Sequence, residues 1–237
     1  MADQVCKPPK KGHRPYKPLK DQNMVTISVG ADFGESKEFV LPMEYLTSVS
    51  PYFEKAFEGS FREAGEKKIG LSNVEPDTFS IYVEWLHSRQ IVDVDGGRFD
   101  GKKDALTEKA RHMALLKLYI FADEYDNPQF RRDTLHAFTR YTNKYTECVG
   151  PDAICQAYDR LPPNSPLLRF LVDHYAYEWS PRTPDPAGTK LPIQFLYIVA
   201  IKLRAQAVDH QLPRSTKSPY LNDCDYHEHD GEKKEEK

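Results

Sequence analysis

The chain has 237 residues, of which 39% are hydrophobic and 29% charged, enough to bury one core of ordinary size together with a smaller second unit or terminal segments. A formal net charge of −3 argues against a chain built throughout to bind nucleic acid or an anionic membrane, because either would need a broad positive surface. The longest apolar run, 195–201, is far shorter than the roughly 20 residues that span a bilayer, so we expect no membrane segment.

The first 21 residues form a basic, proline-rich arm that we expect to be disordered, because proline cannot donate to a hydrogen-bond ladder and like charges repel. The arm contains no uninterrupted apolar stretch of the kind found in secretory signals, which favours an intracellular protein, cytoplasmic or nuclear. A nuclear-import signal and a nonspecific phosphate contact are alternatives to a solvated tail. The four cysteines form no CxxC pair and are expected to be reduced thiols: Cys6, Cys148, Cys155 and Cys224.

The folded part is predicted to begin near residue 22 with a β-hairpin. Val25, Ile27 and Val29 alternate with polar residues and so lie on one face of a strand, and KEFVL follows after a turn. Over 42–57 the apolar residues recur at three- and four-residue spacing, typical of a helix. Pro51 divides this segment into two helices, with Ser50 as the N-cap of the second.

A short strand over 67–71 and a helix over 75–88 come next, and an exposed glycine-rich loop is expected over 92–104. Two amphipathic helices separated by Pro128 complete a core domain that we place at 22–141. Three further helical patterns form an α-helical extension over 142–207, and a polar tail, 208–237, is expected to be disordered. The sequence therefore predicts an α+β fold with a helical C-terminal extension and disordered termini.

Several motifs follow one another in the order found in one known family. The segment LPMEYLTSVSPYFEKAFEGSFREAGEKKIGLSNVEPDTFSIYVEWLHSRQI contains an SPxF helix start, an FxEA turn, an IxL strand and a PxxF helix. It resembles the BTB/POZ domain, and LLKLYIFADEYDNPQFRRDTLHAF is similar to the helix pair that follows in that family. PPNSPLLRFLVDHYAYEW resembles the extension common in fungal members. Pro42 and Asn23 depart from the family pattern, which weighs against a homodimer of the usual geometry.

The resemblance implies a small sheet of short strands capped by helical hairpins, and a protein-binding function. Phe61, Arg62 and Glu63 match the apolar-x-Glu motif with which cullin-binding relatives engage a ubiquitin-ligase scaffold. An exposed aromatic anchor beside an orienting charge is a common arrangement at interaction hot spots. The alternative is that Phe61 packs under the turn and Glu63 is solvated. The helical spacing of Tyr52, Phe53 and Phe57 favours core packing.

We find no pattern for catalysis, a cofactor or a metal. The sequence has no glycine-rich phosphate loop, HExxH, nucleophile elbow or paired-carboxylate signature, so we expect a protein that is not an enzyme. Cys224, His227 and His229 lie close together, but no second cluster completes a four-ligand site. The remaining isolated histidines are expected to be structural or exposed: His87, His112, His136 and His174.

Two functions remain. In the first, the core docks on a cullin while the helical extension, or a further protein, holds the substrate of the ligase. In the second, the chain is a homo-oligomerising scaffold or nuclear regulatory protein without a ligase. No recognisable substrate domain such as kelch or MATH repeats is present, which weakens the cullin hypothesis. No zinc finger is present, which weakens the hypothesis of a nuclear regulatory scaffold.

Overall fold

The computed structural model describes residues 23–34, 36–91, 108–145, 149–178 and 191–209. The expectations for 1–21, for the loop over 92–104, for most of the tail, and for Cys6, Cys148 and Cys224 lie outside these residues. Within them the fold is α+β, mostly helical with one small sheet, as predicted. The elements in chain order are β1 Met24–Val29, β2 Lys37–Pro42, α1 Met43–Thr47, α2 Pro51–Glu58, α3 Arg62–Glu66, β3 Lys68–Leu71, α4 Pro76–Ser88, α5 Glu108–Glu124, α6 Pro128–Tyr145, α7 Pro151–Arg160, α8 Pro166–Glu178 and α9 Ile193–Asp209.

The chain divides into two compact units. Among the described residues, the first contains those up to 91 together with 121–133, and the second contains 108–120 and 134–209. Helices α5 and α6 therefore each contribute to both units. The predicted domain boundaries at 21/22, 141/142 and 207/208 stay predictions.

The sheet of the first unit has the strand order β2-β1-β3. The predicted hairpin is confirmed, since β1 pairs antiparallel with β2, from Met24 opposite Pro42 to Val29 opposite Lys37. Strand β3 pairs parallel with β1, an arrangement that requires a crossover and here follows α1, α2 and α3. The alternate residues of β1 are buried, as their spacing predicted.

Aromatic rings make up much of the core of the first unit. Trp85 of α4 is fully buried, stacked against Tyr82 with ring centroids 5.9 Å apart and tilted against Phe130 at 4.8 Å. Its indole Nε1 donates to Asp133 Oδ2 at 2.8 Å. Burial raises the pKa of Asp133, while the hydrogen bonds from Trp85 and Gln129 act in the opposite direction. Asp133 is thus a half-buried carboxyl group on which the effect of desolvation outweighs that of its hydrogen bonds and of the nearby Arg132 and Arg89.

The second unit is a set of helices, and two pairs of its buried polar side chains lie within hydrogen-bonding distance. His112 of α5 and Thr142 of α6 lie 3.1 Å apart through Nε2 and Oγ1, and Tyr119 and Ser165 are 3.2 Å apart through their hydroxyl oxygens. The three predicted helices of the extension are confirmed as α7, α8 and α9. Among the described residues, no helix combines the length and apolarity needed to cross a membrane.

Candidate partner-binding site

Phe61, the central residue of the predicted site, lies at the surface. It precedes α3 as the N-cap residue with an extended backbone, and its carbonyl oxygen accepts from the Ala64 N–H at 3.1 Å. It does not pack beneath the turn, because 63% of its surface is exposed. An aromatic side chain this exposed is available to a partner.

The turn that presents Phe61 depends on a glycine that the sequence patterns did not single out. Gly59 ends α2, and its N–H donates to the Lys55 carbonyl oxygen at 3.0 Å. A Cβ at position 59 would collide with that carbonyl oxygen and would lie 3.2 Å from Cδ2 of Phe61. Gly59 is needed for close approach here. A glycine directly after an amphipathic helix was the only sequence signal for it.

Charges surround Phe61. The Arg62 Nε lies 3.4 Å from Glu66 Oε1, but both side chains are well exposed, so the pair contributes only about 0.3–0.5 kcal/mol. Glu63 is half-buried. Helices α2 and α3 with the turn between them, 51–66, carry four acidic and two basic residues, a net charge of −2. We call the exposed surface of 51–66 the α2–α3 surface.

Tyr52 belongs to this surface, so the expectation that it packs in the core with Phe53 and Phe57 was wrong for Tyr52 alone. Phe53 and Phe57 are four residues apart and are buried on one helical face, whereas Tyr52 is rotated off that face and stays 38% exposed. Its ring lies edge-on to Phe53 at 5.3 Å and to Tyr125 at 5.1 Å. Burial raises the pKa of Tyr52, and the carboxylates of Glu63 and Glu124 raise it further.

Ser50 fixes where α2 begins. Its buried Oγ accepts from the Phe53 N–H at 3.2 Å, the N-cap that the sequence predicted, and donates to the Tyr125 carbonyl oxygen at 2.6 Å. The second bond, to a residue 75 positions along the chain, ties the α2–α3 surface to the turn after α5. The surface is therefore presented by a fixed helix start.

Replacement of Ser50 by alanine is expected to lower the free energy of unfolding by about 1–2 kcal/mol, because it removes the cap and leaves the buried Tyr125 carbonyl without this donor. Urea denaturation followed by circular dichroism measures the change. Ser60→Ala, at an exposed serine in the neighbouring turn, is the control and should change stability by less than about 0.5 kcal/mol. Equal effects of the two substitutions would contradict the role given to Ser50.

The remaining sequence candidates are not brought together. Among the described residues, no three His, Cys, Asp or Glu side chains could hold one metal ion. The group of Cys224, His227 and His229 lies outside those residues. His112 and His174 are buried in the second unit, and His87 is exposed with its ring 5.1 Å from that of Tyr45.

One curated relative is similar to part of the chain. BTB and MATH domain-containing protein 15 of Caenorhabditis elegans is 35% identical over 68 residues, which is 29% of this chain and 24% of that protein. The chain thus matches about a quarter of the relative's length. No protein-family model matches the chain. The comparison supports a BTB-like segment within the chain.

Proposed function

We propose that this chain is a non-enzymatic protein-interaction module of the BTB/POZ type, and that its α2–α3 surface docks on a cullin-type ubiquitin-ligase scaffold. Three features support the proposal: the order of a β-hairpin, a helical hairpin, a strand and a helix, the partial similarity to a relative named for its BTB domain, and the motif resemblance. The observation that carries it is the 63% exposure of Phe61 beside Arg62 and Glu63.

The energetic argument begins with Phe61. Burying a phenylalanine side chain contributes roughly 1.5–3 kcal/mol, and aromatic anchors of this kind dominate many interfaces. A Cβ at position 59 would lie 3.2 Å from Phe61 Cδ2, so the bare Gly59 backbone leaves room for the ring on that side. An apolar pocket on the partner is the complement of such an anchor.

The charges of the α2–α3 surface indicate what surrounds that pocket. With a net charge of −2 over 51–66, the surface favours a partner with basic residues at the rim. Rim charges act mainly on the association rate and are screened by salt, with a Debye length of about 8 Å at physiological ionic strength. Association should therefore slow as salt is added, while dissociation changes less.

The test is direct binding of the purified chain to a purified cullin amino-terminal region, measured by biolayer interferometry. Replacing Phe61 and Glu63 together by alanine is expected to weaken binding by at least about 30-fold, because an anchor and its orienting charge are both lost. Phe33→Ala is the matched control, since Phe33 is 52% exposed but lies before β2 and away from the motif. It should bind like the wild-type chain.

Two results would reject the cullin assignment: no binding by folded wild-type chain, or binding that the double substitution leaves unchanged. The second candidate function, a homo-oligomerising scaffold without a ligase, would then be preferred. It is favoured independently by an exposed apolar helix face in the second unit, and it predicts self-association that the Phe61 and Glu63 substitutions do not affect.

A further inference from the structure

Helix α9 exposes an apolar face that no other described element covers. Ile193 is 76% exposed, Tyr197 68% and Ile201 51%, and Leu196 and Leu203 are also exposed. Together these side chains present roughly 500–600 Å² of apolar surface, the upper end of the largest patches found on monomeric proteins. A helix that is hydrophobic on nearly every side is normally buried.

Among the described side chains of α9, those that attach the helix to its own unit form a narrow stripe. Phe195 and Val199 are buried, and the ring of Phe195 lies edge-on to Tyr175 at 5.1 Å and to Tyr158 at 5.7 Å. Lys202 Nζ, on the same side, is paired with the carboxylate of Asp173 in α8. The attachment leaves well over half of the helix circumference exposed.

We propose that the exposed face of α9 binds the same face of a second copy of this chain, with the two α9 helices antiparallel across a two-fold axis between Tyr197 and Ala200. This inference does not rest on the function proposed for the α2–α3 surface, because it uses none of those residues.

The spacing of residues along the face supports a helix–helix pairing. Ile193, Tyr197, Ala200 and Arg204 follow one another at intervals of four, three and four residues, the spacing of a coiled-coil seam. In an antiparallel pair centred between positions 197 and 200, Tyr197 of each copy meets Ala200 of the other. The large Tyr197 side chain of each copy then packs over the small Ala200 side chain of the other, and the two-fold axis produces this contact twice.

Area favours a second copy as the occupant. Two-fold pairing of roughly 500–600 Å² per copy would bury about 1,000–1,200 Å² in total, which meets the lower bound of about 1,000 Å² for a specific interface but is smaller than the standard of about 1,600 Å². A second copy therefore supplies enough area for a small specific interface.

Charge argues against a membrane surface as the occupant and favours the antiparallel orientation. The segment 193–205 contains no acidic residue, and Lys202 and Arg204 are its only cations. Lys202 is already paired with Asp173, so the face lacks the basic border expected of a membrane-surface helix. Parallel pairing would place the two Arg204 side chains together, whereas antiparallel pairing puts each beside Ile193 of the other copy.

The first experiment is sedimentation equilibrium of the full chain over a range of concentrations. The wild-type chain is expected to dimerise, and Tyr197→Glu to raise the dimer dissociation constant by at least about 100-fold, because each dimer loses two central contacts and gains two buried charges. Circular dichroism should report an unchanged fold, since Tyr197 is exposed. Phe33→Glu, a charge placed at an aromatic side chain 52% exposed in the first unit, should leave the dimer intact.

The second experiment tests orientation through Ile193→Glu. In the antiparallel pair each new carboxylate lies beside the partner's Arg204, so the dimer should persist, within about tenfold of the wild-type dissociation constant, and should weaken as salt is added. In a parallel pair the two carboxylates would face each other, and dimerisation would be lost as in Tyr197→Glu.

Three outcomes would overturn the proposal: a wild-type chain that is monomeric at every concentration reached, a dimer that Tyr197→Glu leaves unchanged, or a dimer that Phe33→Glu abolishes. If the dimer forms but Ile193→Glu abolishes it, the antiparallel arrangement is wrong.

Discussion

Replacement of Trp85 by alanine is expected to lower the free energy of unfolding of the first unit by about 3–5 kcal/mol, the usual cost of removing a large buried aromatic ring. The ring is fully buried, packs on Tyr82 and Phe130, and is covered by the Arg89 guanidinium 4.4 Å from its centroid. Its loss also takes the Nε1 donor from Asp133. Urea denaturation followed by near-ultraviolet circular dichroism measures the change, and a loss below about 1 kcal/mol would contradict this packing role.

Trp85→Phe distinguishes the contribution of the aromatic ring from that of the hydrogen bond, because it keeps a ring at position 85 but removes the donor to Asp133. Burial raises the pKa of Asp133 and the Trp85 hydrogen bond opposes that rise, so the pKa should rise further in this variant. The pKa of Asp133 is then higher in the folded chain than in the unfolded chain. As pH falls, the folded chain therefore binds a proton at Asp133 before the unfolded chain does, and this protonation stabilises the fold. The stability lost in Trp85→Phe should therefore shrink as pH falls through the pKa of Asp133. A loss that does not change with pH would exclude this coupling.

Local sequence patterns predicted the parts of this fold that depend on local physics. The alternation of Val25, Ile27 and Val29 predicted the buried face of β1, and Ser50 before Pro51 predicted the start of α2. Both features follow from side-chain direction or capping within a few residues. The parallel pairing of β1 with β3 joins segments some 40 residues apart, and no local pattern encodes it.

The sequence predicted only part of the candidate site, for the same reason. The motif picked out Phe61, but whether its ring was buried or exposed depended on the turn at Gly59, a matter of close packing between backbone and ring. Tyr52 was misplaced because it was grouped with Phe53 and Phe57, although it precedes Phe53 by one residue and is therefore rotated away from the buried face that those two share. The sequence did not predict the exposed face of α9, because an apolar helix has the composition of a buried one and only its neighbours in the fold show whether it is covered.

Phe195→Ala is expected to release α9 from the second unit while the first unit stays folded. The fully buried Phe195 ring is wedged against Tyr158 and Tyr175, and truncating such a ring costs about 3–5 kcal/mol. Among the described side chains of α9, Val199 and the pair between Lys202 and Asp173 still attach the helix, and burial lowers the pKa of Lys202 because that ammonium group is partly desolvated. Neither contact offsets the free energy lost with the Phe195 ring.

A released α9 should also lose its helical structure, because an isolated helix of this length is marginal in water. Hydrogen–deuterium exchange at a concentration low enough to keep the chain monomeric measures this directly: in Phe195→Ala the α9 amides should exchange nearly as fast as those of an unstructured peptide, while the amides of β1 keep their protection. Gln194→Ala is the matched control, because Gln194 is the adjacent residue but is exposed and lies outside the apolar face, and it should leave exchange in α9 close to that of the wild-type chain. If Phe195→Ala left α9 protected, contacts other than the Phe195 stripe would hold the helix, and the width of the face proposed for self-association would have to be reduced accordingly.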